Sequence, residues 1–132
     1  MDKTLKDLNG TTAFLNGQAG QHDMEGKLVL RMLKLGKKVK LIDNLFEQPQ
    51  KLAEVVGCDN LVLSTTGMYA EKLRMLVDAF HKLNYVPKVV VFMGENTVMS
   101  FLGTARELKA KHGTEFYFPD VFDDCLYEVS WI

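Results

Sequence analysis

Short apolar runs alternate along this chain with longer stretches in which apolar and charged positions recur at helical spacing. Five runs read as strands: Thr11–Leu15 (TTAFL), Val39–Ile42 (VKLI), Asn60–Ser64 (NLVLS), Lys88–Phe92 (KVVVF) and Glu115–Phe118 (EFYF). Most are continuously apolar and rich in β-branched or aromatic residues, the pattern of strands covered on both faces. Between them, Met24–Leu35 sets Leu28, Leu30, Met32, Leu33 and Leu35 against Lys27, Arg31 and Lys34, which predicts an amphipathic helix stopped by Gly36. Further helices are expected over Gln50–Val56, ending at Gly57; Tyr69–Leu83, with Leu73, Leu76, Val77 and Phe80 inward; Thr97–Lys111, ending at Gly113; and Val121–Val129.

Strict alternation of five strands and five helices implies right-handed crossovers and a parallel sheet covered on both faces. The expected fold is a single doubly wound α/β domain over residues 1–132, flavodoxin-like or Rossmann-like, with five parallel strands in the order 2-1-3-4-5. In such a sheet ligands bind beyond the carboxyl ends of the strands. Attention therefore falls on Asn16–Asp23, Thr65–Met68 and Met93–Asn96.

Composition narrows the function classes. The chain has 132 residues, 47% of them hydrophobic, enough for one domain with a real core. Its 16 basic and 17 acidic side chains leave a net charge of -1, which gives no overall footprint for nucleic acid or an anionic membrane. No apolar run approaches the roughly 18 residues of a membrane span, and MDKTLKDLNG lacks the core of a signal peptide, so a cytoplasmic location is expected. Cys58 and Cys125 form no C-x-x-C pair and read as reduced, packed thiols.

Several chemistries lack their residues. Gly17, Gly20 and Gly26 do not have the G-x-G-x-x-G spacing of a dinucleotide loop, although Asp43 follows the second strand where a ribose-binding acid would sit. A nucleotide site on the same sheet remains the remoter alternative. There is no phosphate-binding P-loop, and Ser64 occupies the position where a phosphoacceptor domain needs aspartate. Ser64 also lacks the flanking glycines of a hydrolase nucleophile. His22, Asp23 and Glu25 read as loop and capping residues rather than a protein-only metal cluster. His81 reads as a surface residue and His112 as part of a helix C-terminal cap.

One stretch, Gln21-His22-Asp23-Met24-Glu25-Gly26-Lys27, resembles the first loop of the cobalamin-binding domain of corrinoid-dependent mutases and methyltransferases, D-x-H-x-x-G, often continued as H-D-x-G-K. The resemblance extends from about Thr11 to Val129. Asp43 and Pro49 match the family's aspartate and proline spacing after the second strand, and Ser64-Thr65-Thr66 stands where the family has S-x-L. Met93-Gly94 stands where it has Gly-Gly, and Lys111-His112-Gly113 with Phe118-Pro119-Asp120 occupies the place of its closing turn.

The resemblance implies that His22 is the lower ligand to the cobalt of cobalamin and that the remaining loop residues line the slot for its nucleotide tail. The implied cofactor-binding set is Gly17, Gly20, Gln21, His22, Asp23, Gly26, Ser64, Thr65, Thr66, Met93 and Gly94. Two registers are open. With His22 as ligand, the position of the carboxylate that bonds the far imidazole nitrogen is Gly20; with Gly26 aligned instead, the ligand position is Asp23 and its partner Gln21.

The implied function is a corrinoid carrier, not catalytic alone, serving a substrate-binding barrel subunit or acting within a homo-oligomer, with neither nucleic acid nor membrane as partner. The alternative is a cofactor-free relative acting as a structural or regulatory subunit, in which Gly17 and Gly20 serve a turn, Ser64 caps a helix and Met93 fills core. Trp131 and Ile132 are expected to pack on the sheet edge or on another subunit.

Overall fold

The computed structural model describes residues 3–15, 23–43, 45, 47–64, 70–120 and 123–132. The chain order is β1 (Lys3–Thr4), a 3-10 turn (Leu5–Asp7), β2 (Thr11–Leu15), α1 (Asp23–Lys34), β3 (Lys38–Ile42), a 3-10 segment (Pro49–Val55), β4 (Asn60–Ser64), α2 (Ala70–Leu83), β5 (Val89–Met93), α3 (Glu95–His112), β6 (Glu115–Asp120) and β7 (Cys125–Glu128). The strands make one mixed, mostly parallel sheet in the order β1-β7-β6-β5-β4-β2-β3.

All five runs expected as strands are strands. They pair in parallel as β3-β2-β4-β5-β6, so the expected neighbour order appears within the larger sheet. The expectation of a five-stranded, wholly parallel sheet is corrected: β7 and β1 extend it to seven strands by antiparallel pairing.

β7 also replaces the helix expected over Val121–Val129. Asp124 takes a left-handed backbone (φ 59°), and the Asp123 carboxylate accepts the Cys125 N–H at 3.1 Å, which turns the chain back on itself. Phe118 then faces Tyr127 and Asp120 faces Cys125 across an antiparallel hairpin. The segment expected as a helix over Gln50–Val56 is a 3-10 helix with Pro49 at its start.

Strand side chains sort by period two onto two faces. Ala13, Leu15, Ile42, Leu61, Leu63, Val90, Phe92 and Phe116 pack with Leu52 and Val55, with Leu76 and Phe80 of α2 and with Val98, Phe101 and Ala105 of α3. Phe92 anchors this side, stacked on Phe116 at 5.7 Å and edge-on to Phe101 at 6.1 Å. The opposite face joins Phe14, Val62, Val89, Val91, Tyr117 and Leu126 to Leu28 and Met32 of α1.

No second helix packs beside α1 among the described residues. Leu5 and Leu8 of the N-terminal segment are buried in that cluster instead. The segment is fixed by a capping box, in which Asp7 accepts the Thr4 N–H at 2.8 Å and its hydroxyl at 3.1 Å. The Lys37 ammonium donates to the Lys6 and Leu8 carbonyls at 2.6 and 2.8 Å.

Candidate functional site

The parallel strands end level with one another. Leu15 is in register with Ile42 and with Leu63, and Ser64 with Met93. Two positions singled out in the sequence, Ser64 and Met93, are therefore neighbours across β4 and β5. Gly17, Gly20, Gln21, His22, Thr65 and Thr66 lie outside the described residues. Asp23 begins α1, inside its first turn rather than before it. Gly26 is exposed, and a β-carbon there would meet nothing among the described residues.

Gly94 is different. Its backbone (φ 130°, ψ 150°) lies in a region that only glycine occupies without strain, and it caps the N-terminus of α3 without a side-chain hydrogen bond. The β5–α3 junction is thus built around glycine, whereas the preceding Met93 is half-buried.

Three residues beyond Gly94, in the first turn of α3, Thr97 is 1% exposed and its hydroxyl has no hydrogen-bond partner. It is the one buried side-chain polar atom without a partner among the described residues. The other buried polar side chains with printed bonds are satisfied: Asn60 donates to the Asn9 carbonyl at 2.9 Å and Thr114 to the Pro87 carbonyl at 2.8 Å. A buried hydroxyl without a partner forfeits its hydration for nothing in return, so such groups are rare and call for a partner beyond the described residues: another part of the chain, an ordered water or a ligand. From the sequence, Thr97 reads only as a helix start. Its position just after the glycine was the available signal.

Two clefts lie at the other end of the sheet. A groove of about 340 Å³ runs between the C-terminal ends of α2 and α3, floored by Phe80, Tyr85 and Leu108 and rimmed by His81, Lys111 and His112. A second, of about 350 Å³, adjoins it across Asn84, Tyr85 and Val86 and reaches Cys58 and Lys88.

Here the Tyr85 hydroxyl donates to the Cys58 carbonyl at 2.5 Å, and burial pushes the phenol well above its ordinary value, with Cys58 and Asp59 acting in the same sense. Burial likewise pushes the Cys58 thiol up, which makes it a poor nucleophile. Cys58 and Cys125 are both free. His81 and His112 share the groove, which their separate readings as a surface residue and a cap did not anticipate.

Among the described residues no three His, Cys, Asp or Glu side chains are grouped to hold a metal ion, and no helix is long and apolar enough to cross a membrane. Compared with protein-family models, curated proteins and solved structures, the chain finds no match in any of the three.

Proposed function

We propose that this chain is a cytoplasmic corrinoid-binding domain or small subunit of flavodoxin-like, doubly wound build. It would hold cobalamin at the carboxyl ends of its parallel strands for a partner mutase or methyltransferase that contributes the substrate barrel. The observation that carries the reading is the buried, unpartnered hydroxyl of Thr97 beside the glycine-only backbone of Gly94. An orphaned donor and a junction without a β-carbon suit the entry of a polar ligand tail, and they stand at the end of the sheet where ligands of such folds bind.

The choice of corrinoid over other ligands rests on the resemblance of the Gln21–Lys27 stretch. In this reading Ser64, Met93, Gly94 and Thr97, together with Gly17, Gly20, Gln21, Asp23, Gly26, Thr65 and Thr66, would hold the nucleotide tail, and His22 would ligate the cobalt. The bound group supplies a reactive cobalt–carbon bond; the chain's own part is to bind and orient it.

The alternative reading is a cofactor-free relative with a structural or regulatory role. One experiment separates the two. Purified protein is incubated with hydroxocobalamin, freed of excess ligand, and its visible spectrum recorded. Retained corrin supports the first reading and its absence the second. An unchanged spectrum of retained corrin in His22→Ala would remove His22 as ligand and leave base-on binding.

A further inference from the structure

The sheet ends at β3, and no strand pairs with its outer edge among the described residues. Alternation along β3 sets Ile42 into the core shared with α2 and α3, and with it, on the same face, Lys38 and Lys40. Val39 and Leu41 therefore face the α1 side. Val39 packs against the cluster beneath α1, but Leu41 is 63% exposed.

Helix α1 continues this apolar strip. Arg31 forms an ion pair with Asp124 on the β6–β7 turn, which fixes one flank of the helix. At about 100° per residue Leu33 lies roughly 160° around from Arg31, on the flank toward β3. Leu33 and Leu30 are more than half exposed. The stretch from Gly26 to Ile42 holds Lys27, Arg31, Lys34, Lys37, Lys38 and Lys40 and no acidic residue, a local bias hidden in the balanced total. Lys40 meets Glu54 only at 3.8 Å, and Lys38 is exposed.

Lysines on an edge strand ordinarily guard it against stray pairing. Guarding does not account for Leu41 on the edge strand or for Leu33 on the adjoining flank of α1, both large apolar side chains more than half exposed. Nor does a second copy suit the edge, since pairing β3 with itself brings lysines against lysines, and like charges on paired strands repel.

We infer that the β3 edge, with the adjoining flank of α1, docks an extended segment of a partner protein in which acidic and apolar residues alternate, added to the sheet as a further strand. Main-chain hydrogen bonds supply the attachment. The alternation is dictated by β3 itself: acids beside Lys38 and Lys40 on one face, apolar residues beside Leu41 and Leu33 on the other. The site is separate from the carboxyl-end loops and does not depend on corrinoid binding.

The test uses the full chain, labelled with nitrogen-15, and an end-blocked hexapeptide of alternating glutamate and valine, with the lysine–valine peptide as control. Up to about 1 mM peptide, the range of weak binding, amide shifts should concentrate in Lys38–Ile42 and α1. Lys38→Glu and Leu41→Lys, both at exposed positions, should each weaken binding by roughly fivefold with thermal stability retained, the effect of losing one cross-strand charge pair or one apolar contact. No shifts at β3, equal binding of the lysine–valine peptide, or light scattering that shows a dimer already protecting the β3 amides would each overturn the proposal. So would Leu41-dependent binding to phosphatidylglycerol vesicles with none to the acidic peptide.

Discussion

Replacing Thr97 with valine exchanges the buried hydroxyl for a methyl group and keeps the β-branched shape. The two residues have similar helix propensities, so the backbone contribution changes little. Thr97 is 1% exposed, on the same helix as Val98 and Phe101, which are 0% and 1% exposed. Its hydroxyl has no partner among the described residues, so the substitution breaks no hydrogen bond there. What disappears is the desolvation penalty of an unsatisfied polar group, about 1–3 kcal/mol.

Allowing for imperfect fit of the new methyl group, Thr97→Val should stabilise the ligand-free chain by about 1–2 kcal/mol. With a urea dependence of about 1.5 kcal/mol/M for a domain of this size, the unfolding midpoint should rise by roughly 1 M. Equilibrium urea unfolding followed by circular dichroism reads this directly, and the slope should be unchanged. A lowered midpoint would mean that the hydroxyl is paired within the folded chain, and the case for an external partner at this position would fall with it.

Three further outcomes follow from the geometry. Gly94→Ala forces a side chain onto a backbone at φ 130°, ψ 150° and should destabilise the chain by roughly 1–3 kcal/mol in the same urea assay. Gly10→Ala places a β-carbon 1.7 Å from the Asp59 carboxylate, which accepts the Thr11 N–H at 3.3 Å and pairs with Lys88 at 3.4 Å; a loss on the order of 2 kcal/mol is expected, visible as a lower melting temperature. Tyr85→Phe leaves the Cys58 carbonyl without its donor and should lose roughly 1–2 kcal/mol. Because the folded phenol ionises above its ordinary value, its contribution is full below about pH 10 and is lost as pH climbs toward the folded value. Stability of the wild type should therefore fall above pH 10 more steeply than that of Tyr85→Phe, as measured by urea midpoints at stepped pH.

The central strands were legible because their signal is local. Leu61-Val62-Leu63 and Val89-Val90-Val91-Phe92 are continuous β-prone runs, and such runs suit strands buried on both sides. The helix stops were legible for the same reason, with Gly36 (φ 75°) and Gly113 (φ 72°) both left-handed.

The C-terminal hairpin was misread because Phe122, Leu126 and Val129 recur at helical spacing, and a turn at Asp123–Asp124 outweighs that spacing only once β6 offers a pairing edge. β1 is two residues long and carries no periodic signal at all. The amino-end groove depends on where two helices terminate relative to each other, bringing Val77 and Phe80 opposite Thr104 and Leu108, a long-range matter that no local pattern encodes. The state of Thr97 is of the same kind: a threonine in the sequence does not say whether its hydroxyl finds a partner.

The central claim is that the carboxyl end of the sheet receives a corrinoid and that Thr97 supplies it with a hydrogen bond. Titrating hydroxocobalamin calorimetrically into the wild type and into Thr97→Val, side by side, tests both parts at once. The account predicts one corrinoid per wild-type chain and binding roughly tenfold weaker in the variant, the loss of one hydrogen bond of about 1–1.5 kcal/mol. Equal affinity in the two proteins, or no binding to either, would contradict it.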